Sequence, residues 1–248
     1  FDYSTIENFI PLSAGARVYI VASSVLVEPS ALVDLIEAEE ITVFSQTPAA
    51  FQNIIEVTRD RGGLKHWPRY VNLGGESLVI ENLEGWFGLE GSEATTIMNL
   101  YGITETTVMS CCYPVTRADL GLHRFTPIGT PFADQSFYVL DKTRDVIPDG
   151  VMGELYIGGG GIADGYIGQM ELSRSRFLID PFVDDANSMM YKSGDLVIRD
   201  DNGVIHYVGR TDSQINMRGI RIELGEIESV LSLHEAINKC YITDFTPP

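Results

Sequence analysis

Short apolar runs alternate with helical patterns through the first 110 residues of the chain. Three runs are rich in β-branched and aromatic residues, which is typical of strands. We predict these strands at 17–22, 41–45 and 69–73. Apolar residues recur at helical spacing after Pro29 and again after Thr47, which predicts two intervening helices. Strands and helices that alternate in this way form a parallel sheet covered by helices, so we expect an α/β subdomain.

Beyond residue 110 the pattern changes to single alternation of apolar and polar residues, the period of a strand with one buried face. Segments such as QSFYVLD, GELYIGG and GVIHYVG are separated by Pro-Asp-Gly and Asp-Asn-Gly turns, which favour antiparallel hairpins. A helical pattern returns at 223–233. We therefore expect an α/β subdomain at 1–110, a distorted β-barrel subdomain at 111–211 and the start of a small α+β C-terminal domain at 212–248.

The composition is that of a soluble globular protein and argues against two kinds of partner. Hydrophobic residues make up 44% and charged residues 21% of the 248 residues. No apolar run reaches the roughly eighteen residues needed to cross a bilayer. The net charge of −18 repels a phosphate backbone. We expect partners that are neither membranes nor nucleic acids.

The cysteines and histidines indicate neither a disulfide framework nor a zinc site. Two of the three cysteines, Cys111 and Cys112, are adjacent, so they cannot easily bond to each other or share a tetrahedral ion. The four histidines are scattered without the spacing of zinc ligands. This usage favours a reducing cytoplasm.

The segment NLYGITETT at 99–107 has the residue types of a phosphate and metal site. Thr104, Thr106 and Thr107 offer hydroxyl groups to phosphate oxygens. Glu105 offers the oxygen ligand that a hard cation such as Mg²⁺ takes. The same residues also fit the beginning of a helix with ordinary threonine capping, and both interpretations stand at this point.

Two other segments have residues that could bind an anion or a sugar, and each also has a simpler structural interpretation. Four glycines at 158–161 would let backbone amides approach an anion. No Lys-Ser/Thr pair follows them, so a wide turn between two strands is favoured. Asp195, in YKSGDL, could accept both hydrogen bonds of a ribose diol, and Arg210 could hold a sugar or phosphate oxygen. Both residue types are also common in surface salt bridges.

Five blocks in order resemble the ANL superfamily of adenylating enzymes, and within it the amino-acid-activating adenylation domains of non-ribosomal peptide synthetases. They are FDYS at 1–4, NLYGITETT at 99–107, GELYIGGGGIADGYIG at 153–168, YKSGDL at 191–196 and GRTDSQINMRGIRIELGEIE at 209–228. The last block is the most specific, because acyl-CoA ligases of the superfamily usually lack Leu-Gly-Glu-Ile-Glu there. The family usually has proline where this chain has Ile103, which changes loop stiffness but removes no functional side chain. The resemblance implies an ANL-type core.

The resemblance also implies ATP and Mg²⁺ as cofactors. Thr104 and Glu105 are implied to be catalytic, through a phosphate contact and a Mg²⁺ ligand respectively. Tyr101 would stack on adenine and Asn99 would bond its edge, while Asp195 would accept the ribose diol. The implied nucleotide-binding residues are Gly74, Gly75, Asn99, Tyr101, Gly102, Thr104, Asp195, Tyr207 and Arg210.

On the substrate side, Asp2 resembles the aspartate that pairs with the α-ammonium group of an amino acid, a favourable pairing of opposite charges. The implied substrate residues are Asp2, Tyr3, Ile6, Ser45, Asn72, Gly74, Leu100, Val108 and Met109. Most are apolar, which suggests a medium-sized apolar or aromatic amino acid. Asp212 falls at the hinge about which the C-terminal domain of the family rotates.

The implied reaction is attack of an amino-acid carboxylate on the α-phosphorus of ATP, giving aminoacyl-AMP and pyrophosphate. The aminoacyl group would then pass to the phosphopantetheine thiol of a peptidyl carrier protein, with a condensation domain as a further partner, in cis or in trans. Two alternatives stay open: an acyl- or aryl-CoA ligase, against which Asp2 argues because a carboxylate is unfavourable beside an apolar acid, and a degenerate non-catalytic module. The family's phosphate loop is expected before Phe1 and its catalytic lysine after Pro248, so this segment alone is expected to be nearly inert.

Overall fold

The computed structural model describes residues 3–212, 214–217, 220–234, 236–237 and 240–243. The helices in these ranges are α1 Tyr3–Ser13, α2 Ser23–Leu26, α3 Pro29–Ala38, α4 Pro48–Asp60, α5 Glu84–Phe87, α6 Met170–Arg176 and α7 Leu224–Leu231. The strands are β1 Val43–Gln46, β2 Tyr70–Leu73, β3 Thr96–Tyr101, β4 Cys111–Val115, β5 Thr126–Pro131, β6 Gln135–Leu140, β7 Met152–Gly159, β8 Phe177–Ile179, β9 Met189–Arg199, β10 Ile205–Arg210, β11 Gln214–Met217 and β12 Ile220–Glu223.

The first part of the sheet is parallel, as the alternation of strands and helices predicts. Strand β2 lies between β1 and β3 and runs parallel to both. Helix α4 begins after Thr47, whose hydroxyl oxygen accepts a hydrogen bond from the Ala50 amide at 3.3 Å. Because the strands are parallel, their carboxyl ends lie along one edge of the sheet, where α/β proteins bind ligands.

An aromatic cluster anchors the helices to this parallel region. Trp86 is fully buried, and its ring lies 5.0 Å from Phe51 of α4 and 5.1 Å from Trp67, measured between ring centroids. Buried Leu32, Val33 and Ile36 of α3 join the same core cluster. The predicted helical spacing therefore corresponds to the faces that α3 and α4 bury.

The strand predicted at 17–22 is wrong. These residues have no regular secondary structure, and Tyr19 and Ile20 are 42% and 87% exposed. A strand is stabilised by the hydrogen bonds of a neighbouring strand. No described strand pairs with this segment, and its apolar pattern alone cannot supply a partner.

The β-rich half is antiparallel and continues the same sheet, as the hairpin pattern predicts. The strand order is β1-β2-β3-β4-β5-β10-β9-β7-β6, with β8 paired to β9. The α/β fold class is confirmed. The expected barrel is instead an open sheet, since the order ends at β1 and β6 and no pairing between described residues joins those strands. The subdomain boundaries at 110 and 211 stay predictions, and β11, β12 and α7 lie beyond the second of them.

The sheet is strongly curved between β3 and β9. Three strands separate these two, so in a flat sheet they would lie about 19 Å apart. Yet the hydroxyl group of Tyr101 on β3 donates a hydrogen bond to the carboxylate of Asp195 on β9. The concave face between β3 and β9 is called the trough below. Gly129 of β5 lies where pairing passes from β4 to β10, and it has a φ of +99°.

Two expectations from composition concern membrane-spanning helices and the cysteines. No helix among the described residues is long and apolar enough to cross a bilayer. The cysteine thiols are free, with Cys111 buried and Cys112 and Cys240 half-buried. Burial raises the pKa of the Cys111 thiol well above its usual value, so this thiol is held in its unreactive protonated form.

Candidate active site

A cleft lies in the trough, beyond the carboxyl ends of β2 and β3, and most of the predicted nucleotide residues line it. These are Gly75, Asn99, Tyr101, Gly102, Asp195, Tyr207 and Arg210. The cleft also has lining residues that the sequence did not indicate, namely Glu76, Ser77, Leu78, Ile103, Thr126, Ile128 and Gln214. Glu76 lies three residues after the carboxyl end of β2, a position that could have marked it as a candidate.

Asp195 is the most deeply buried charged residue of the cleft, at 3% exposure. One carboxylate oxygen accepts a hydrogen bond from Arg210 at 2.9 Å, and the other accepts one from the Tyr101 hydroxyl group. Burial raises the pKa of Asp195, although the Arg210 charge and the Tyr101 hydrogen bond oppose this rise. The structure therefore brings together three residues that the sequence predicted for one nucleotide.

Arg210 also binds the predicted hinge residue Asp212. The contact is bidentate, with Nε to Oδ1 at 2.7 Å and Nη2 to Oδ2 at 2.9 Å. Arg176 at the end of α6 adds a further bond to Asp212 at 3.1 Å. Sequence reasoning missed Arg176, since nothing in its spacing links it to Asp212. A Cβ on Gly194 would lie 2.8 Å from Arg210 Nη2, so glycine leaves room for this cluster.

The pKa of Asp212 yields a prediction for acid unfolding. Burial alone would raise this pKa, but hydrogen bonds from Arg210 and Arg176 lower it from 3.8 to about 2. A carboxylate whose pKa is lower in the folded state adds stability above its unfolded pKa and loses it as the pH falls toward its folded pKa. The wild type should therefore have a larger free energy of unfolding than Asp212→Asn. This difference should be greatest above about pH 5 and should shrink between about pH 4 and pH 2. Asp212 is exposed, so solvent limits the full effect to about 1 kcal/mol.

Urea unfolding of both proteins at pH 6 and pH 3 measures this difference. A difference in unfolding free energy that is the same at the two pH values would contradict the assignment of the low pKa to Asp212.

Asn99 and Tyr207 complete the predicted adenosine side of the cleft. The side-chain amide of Asn99 is buried and donates to the Pro127 carbonyl at 2.8 Å. Burial and the nearby charge of Asp195 raise the pKa of Tyr207 to about 12. The backbone of Gly102 lies so close to the next loop that a Cβ there would approach the Val108 carbonyl to 2.2 Å. Only glycine fits at that position.

Glu105 lies in a single 3-10 turn, Thr104–Thr106, and not at the beginning of an α-helix. The N-cap residue of this turn is Ile103, whose side chain makes no capping hydrogen bond, so a helix that begins with a threonine cap is not supported. Thr104 is exposed, whereas Glu105 is 7% exposed. Its Oε1 atom accepts hydrogen bonds from the hydroxyl groups of Tyr166 at 2.6 Å and Tyr191 at 3.1 Å. Burial and these contacts hold the pKa of Tyr166 well above its usual value.

Among the described residues, Glu105 is the predicted Mg²⁺ ligand, and it belongs to no larger cluster of metal-binding side chains. No group of three or more histidine, cysteine, aspartate or glutamate residues in the described ranges could hold a metal ion. Mg²⁺ bound through one or two carboxylates, phosphates and water needs no such group. Glu105 is a buried carboxylate of this kind, and its role as a Mg²⁺ ligand stays a prediction.

The glycine run after β7 packs against the Glu105 turn. The Thr107 hydroxyl group donates to the Gly161 carbonyl at 2.7 Å, and the Ala163 amide donates to the Glu105 carbonyl at 3.0 Å. A Cβ on Gly161 would lie 3.0 Å from the Thr106 carbonyl. The run is therefore a close-packed turn, which supports the simpler of the two interpretations given above.

Several of the residues predicted for the amino-acid pocket are neighbours in the structure, and the pocket itself stays a prediction. Tyr3 of α1 and Ser45 of β1 share a side-chain hydrogen bond, and Ser45 is the register partner of Asn72 on β2. A Cβ on Gly74 would lie 3.5 Å from Leu100 Cβ. Three further predicted residues, Ile6, Val108 and Met109, are half-buried. Asp2 lies outside the described residues.

Comparison with known proteins gives the family context. The chain matches the family described as AMP-binding enzyme over residues 1–167. It is 40% identical over 236 residues to a dimodular nonribosomal peptide synthase of Bacillus subtilis (strain 168), covering 94% of this chain. The structure is similar to that of an NRPS protein containing adenylation and PCP domains, with a TM-score of 0.81, 26% identity and 97% of this chain covered. It is also similar to a holo four-domain nonribosomal peptide synthetase bound to AMP and glycine, with a TM-score of 0.72, 36% identity and 96% of this chain covered.

The chain spans only part of each of these proteins. It covers 10% of the Bacillus subtilis relative. It covers 47% of the protein with adenylation and PCP domains and 17% of the four-domain synthetase. All three proteins carry names that describe nonribosomal peptide synthetases or NRPS proteins.

Proposed function

Because this chain belongs to the AMP-binding enzyme family, we propose that it is the nucleotide-binding part of an adenylation domain that activates an amino acid for non-ribosomal peptide synthesis. One observation carries the proposal most directly. Tyr101 and Asp195, which are 94 residues apart in sequence, meet in one cleft together with Arg210. This is the arrangement that an adenosine moiety needs, with an aromatic ring, a diol acceptor and a cation side by side.

Each residue of the cleft has a definite role in this proposal. The ring of Tyr101 stacks on adenine, and Asn99 bonds its edge. The carboxylate of Asp195 accepts the two ribose hydroxyl protons, because each carboxylate oxygen can accept more than one hydrogen bond. The Arg210 charge opposes the rise that burial causes in the pKa of Asp195. Exposed Thr104 reaches the phosphate groups.

Mg²⁺, when bound, would balance the charge that develops on the phosphates during attack at the α-phosphorus. Glu105 would hold this ion. Glu105 follows Thr104 in the turn after β3, the strand that ends at Tyr101, and this position supports the role.

Asp2 is proposed to pair with the α-ammonium group of the substrate, and the pocket near Tyr3, Ser45 and Asn72 to receive its side chain. The half-buried positions of these three residues on α1, β1 and β2 support the second part. A pocket with a few polar groups among apolar residues favours a medium-sized apolar or aromatic amino acid.

The activated aminoacyl group is proposed to pass to the phosphopantetheine thiol of a peptidyl carrier protein, which a condensation domain then uses. The names of the similar proteins support this partner, since one of them contains adenylation and PCP domains. A cytoplasmic setting suits both the ATP requirement and the free cysteines of the described residues.

Pyrophosphate exchange by the full-length protein tests the proposal. With its preferred α-amino acid, exchange should be at least about tenfold faster than with the matching des-amino acid, because the ammonium–carboxylate hydrogen bond is lost with the latter. Replacing Asp2 with Ala should remove most of that preference. Equal rates with the amino and des-amino acids would point to an acyl- or aryl-CoA ligase, and no exchange with any acid would indicate a non-catalytic module.

A further inference from the structure

One oxygen of the Glu105 carboxylate forms a triangle with two tyrosine hydroxyl oxygens. The Tyr166 hydroxyl lies 2.6 Å from Glu105 Oε1, the Tyr191 hydroxyl lies 3.1 Å from the same atom, and the two hydroxyl oxygens are 2.9 Å apart. The three residues come from different parts of the chain: the 3-10 turn after β3, the loop after the glycine run, and β9. Neither tyrosine has a role in the proposed function as stated above.

We propose that Tyr166 and Tyr191 are positioning residues that orient the Glu105 carboxylate for the Mg²⁺ ion that accompanies ATP. The inference rests on the proposed function and deepens it, because it says which hydroxyl groups orient the carboxylate that would bind Mg²⁺. Neither tyrosine needs to contact the metal or the nucleotide.

The hydrogen-bond geometry supports a positioning role. Each hydroxyl group has one proton to donate. Tyr166 makes the shorter contact and donates to Glu105, while Tyr191 donates either to the same oxygen or to the Tyr166 oxygen. In both arrangements the proton of Tyr166 is directed at Oε1. A charged carboxylate that is almost fully buried is stable only with such donors.

The packing around the two tyrosines fixes where their hydroxyl groups lie. The ring of Phe177 is 5.3 Å from that of Tyr166 and 5.0 Å from that of Tyr191, measured between centroids. The backbone amide of Tyr166 donates to the Ser173 hydroxyl at 2.8 Å. Replacing Tyr166 with phenylalanine therefore leaves the ring held in place, and the change is confined to the hydroxyl contacts with Glu105 and Tyr191.

The chain contains a matched control for this substitution. The Tyr138 hydroxyl donates to Asp180 at 3.0 Å, and the Tyr138 ring packs on Phe182 with centroids 4.5 Å apart. This is also a tyrosine–carboxylate pair with an aromatic neighbour in the β-rich half. Neither of its members lines the cleft, so Tyr138→Phe removes the same kind of bond without touching Glu105.

The experiment measures ATP binding to the full-length protein by calorimetry, without Mg²⁺ and over a series of Mg²⁺ concentrations. Tyr166→Phe should raise the Mg²⁺ concentration for half-maximal tightening of ATP binding by about tenfold, the usual lower bound for a lost ligand-orienting contact. The affinity for ATP without Mg²⁺ should be unchanged. The double variant Y166F/Y191F should shift the Mg²⁺ dependence further, and Tyr138→Phe should not shift it. Melting temperatures of all variants report on folding.

Each remaining outcome contradicts a defined part of the inference. If Tyr166→Phe weakens ATP binding equally with and without Mg²⁺, the tyrosine is structural and the inference fails. If Glu105→Gln alters the Mg²⁺ dependence but Tyr166→Phe does not, Glu105 keeps its role and only the positioning role fails. If the wild type binds no ATP at any Mg²⁺ concentration, the proposed function fails, and the inference fails with it.

Discussion

Alanine in place of Gly129 is expected to lower the free energy of unfolding by about 2–5 kcal/mol, the sum of a left-handed backbone penalty and an overpacked contact. Gly129 is buried in β5 with a φ of +99°, and a Cβ there would lie 1.9 Å from the Cys112 carbonyl oxygen. That oxygen belongs to the backbone of β4, so no side chain can move aside. Since Gly129 lies where pairing passes from β4 to β10, between the two walls of the trough, nucleotide binding in the trough should be lost as well.

Gly203→Ala is the matched control for Gly129→Ala. Gly203 also has a positive φ, +80°, but it lies in the exposed turn between β9 and β10 and a Cβ there meets nothing within 4 Å. Gly203→Ala should lower the free energy of unfolding by about 1 kcal/mol, which is the backbone penalty alone. Urea unfolding and ATP binding distinguish the two variants. Equal losses of stability would show that the close approach of Gly129 to β4 does not matter.

Asp195→Asn is expected to weaken ATP binding by about a hundredfold, the scale of one to two hydrogen bonds to a charged acceptor. Asparagine has the same shape but only one acceptor oxygen and no charge. It can therefore accept from only part of a ribose diol, and it no longer attracts Arg210, whose contact with Asp195 is 2.9 Å. Calorimetric titration with ATP measures the loss.

Asp180→Asn provides the comparison for Asp195→Asn. Asp180 is also buried and also accepts a hydrogen bond from a tyrosine hydroxyl, that of Tyr138. It is not part of the cleft, so its replacement should leave ATP affinity within about twofold even where stability falls. The proposed ribose site would be wrong if the two variants weakened ATP binding to the same degree.

The local elements of the fold could be predicted because their signals are local. Helix α4 begins where Thr47 and Pro48 predict it, since capping and a fixed proline φ act within one turn. The strand at 17–22 was wrong, because a strand also depends on a neighbour that its own sequence does not specify. The positive φ of Gly129 could not be predicted either, because the run TPIGTP resembles an ordinary loop.

The candidate site also contains some residues that the sequence predicted and others that it did not. Tyr101, Asp195 and Arg210 were predicted from motif blocks, and the structure places them together. Arg176 and Glu76 were missed, because each gains its position from folding and from no motif. Only the three-dimensional position of α6 reveals Arg176, whereas the place of Glu76 shortly after β2 was a signal that the prediction did not use.

The continuity of the sheet has a consequence for the kinetics of ligand binding. The two walls of the cleft, at Tyr101 and Asp195, belong to one ladder that runs through β4, β5 and β10. The walls cannot separate like two domains about a hinge unless backbone hydrogen bonds of that ladder break. The walls of the cleft are therefore formed before the ligand arrives. A gating step in nucleotide association, if one is measured, would have to come from loops or from the segment beyond Asp212, and not from opening of the trough.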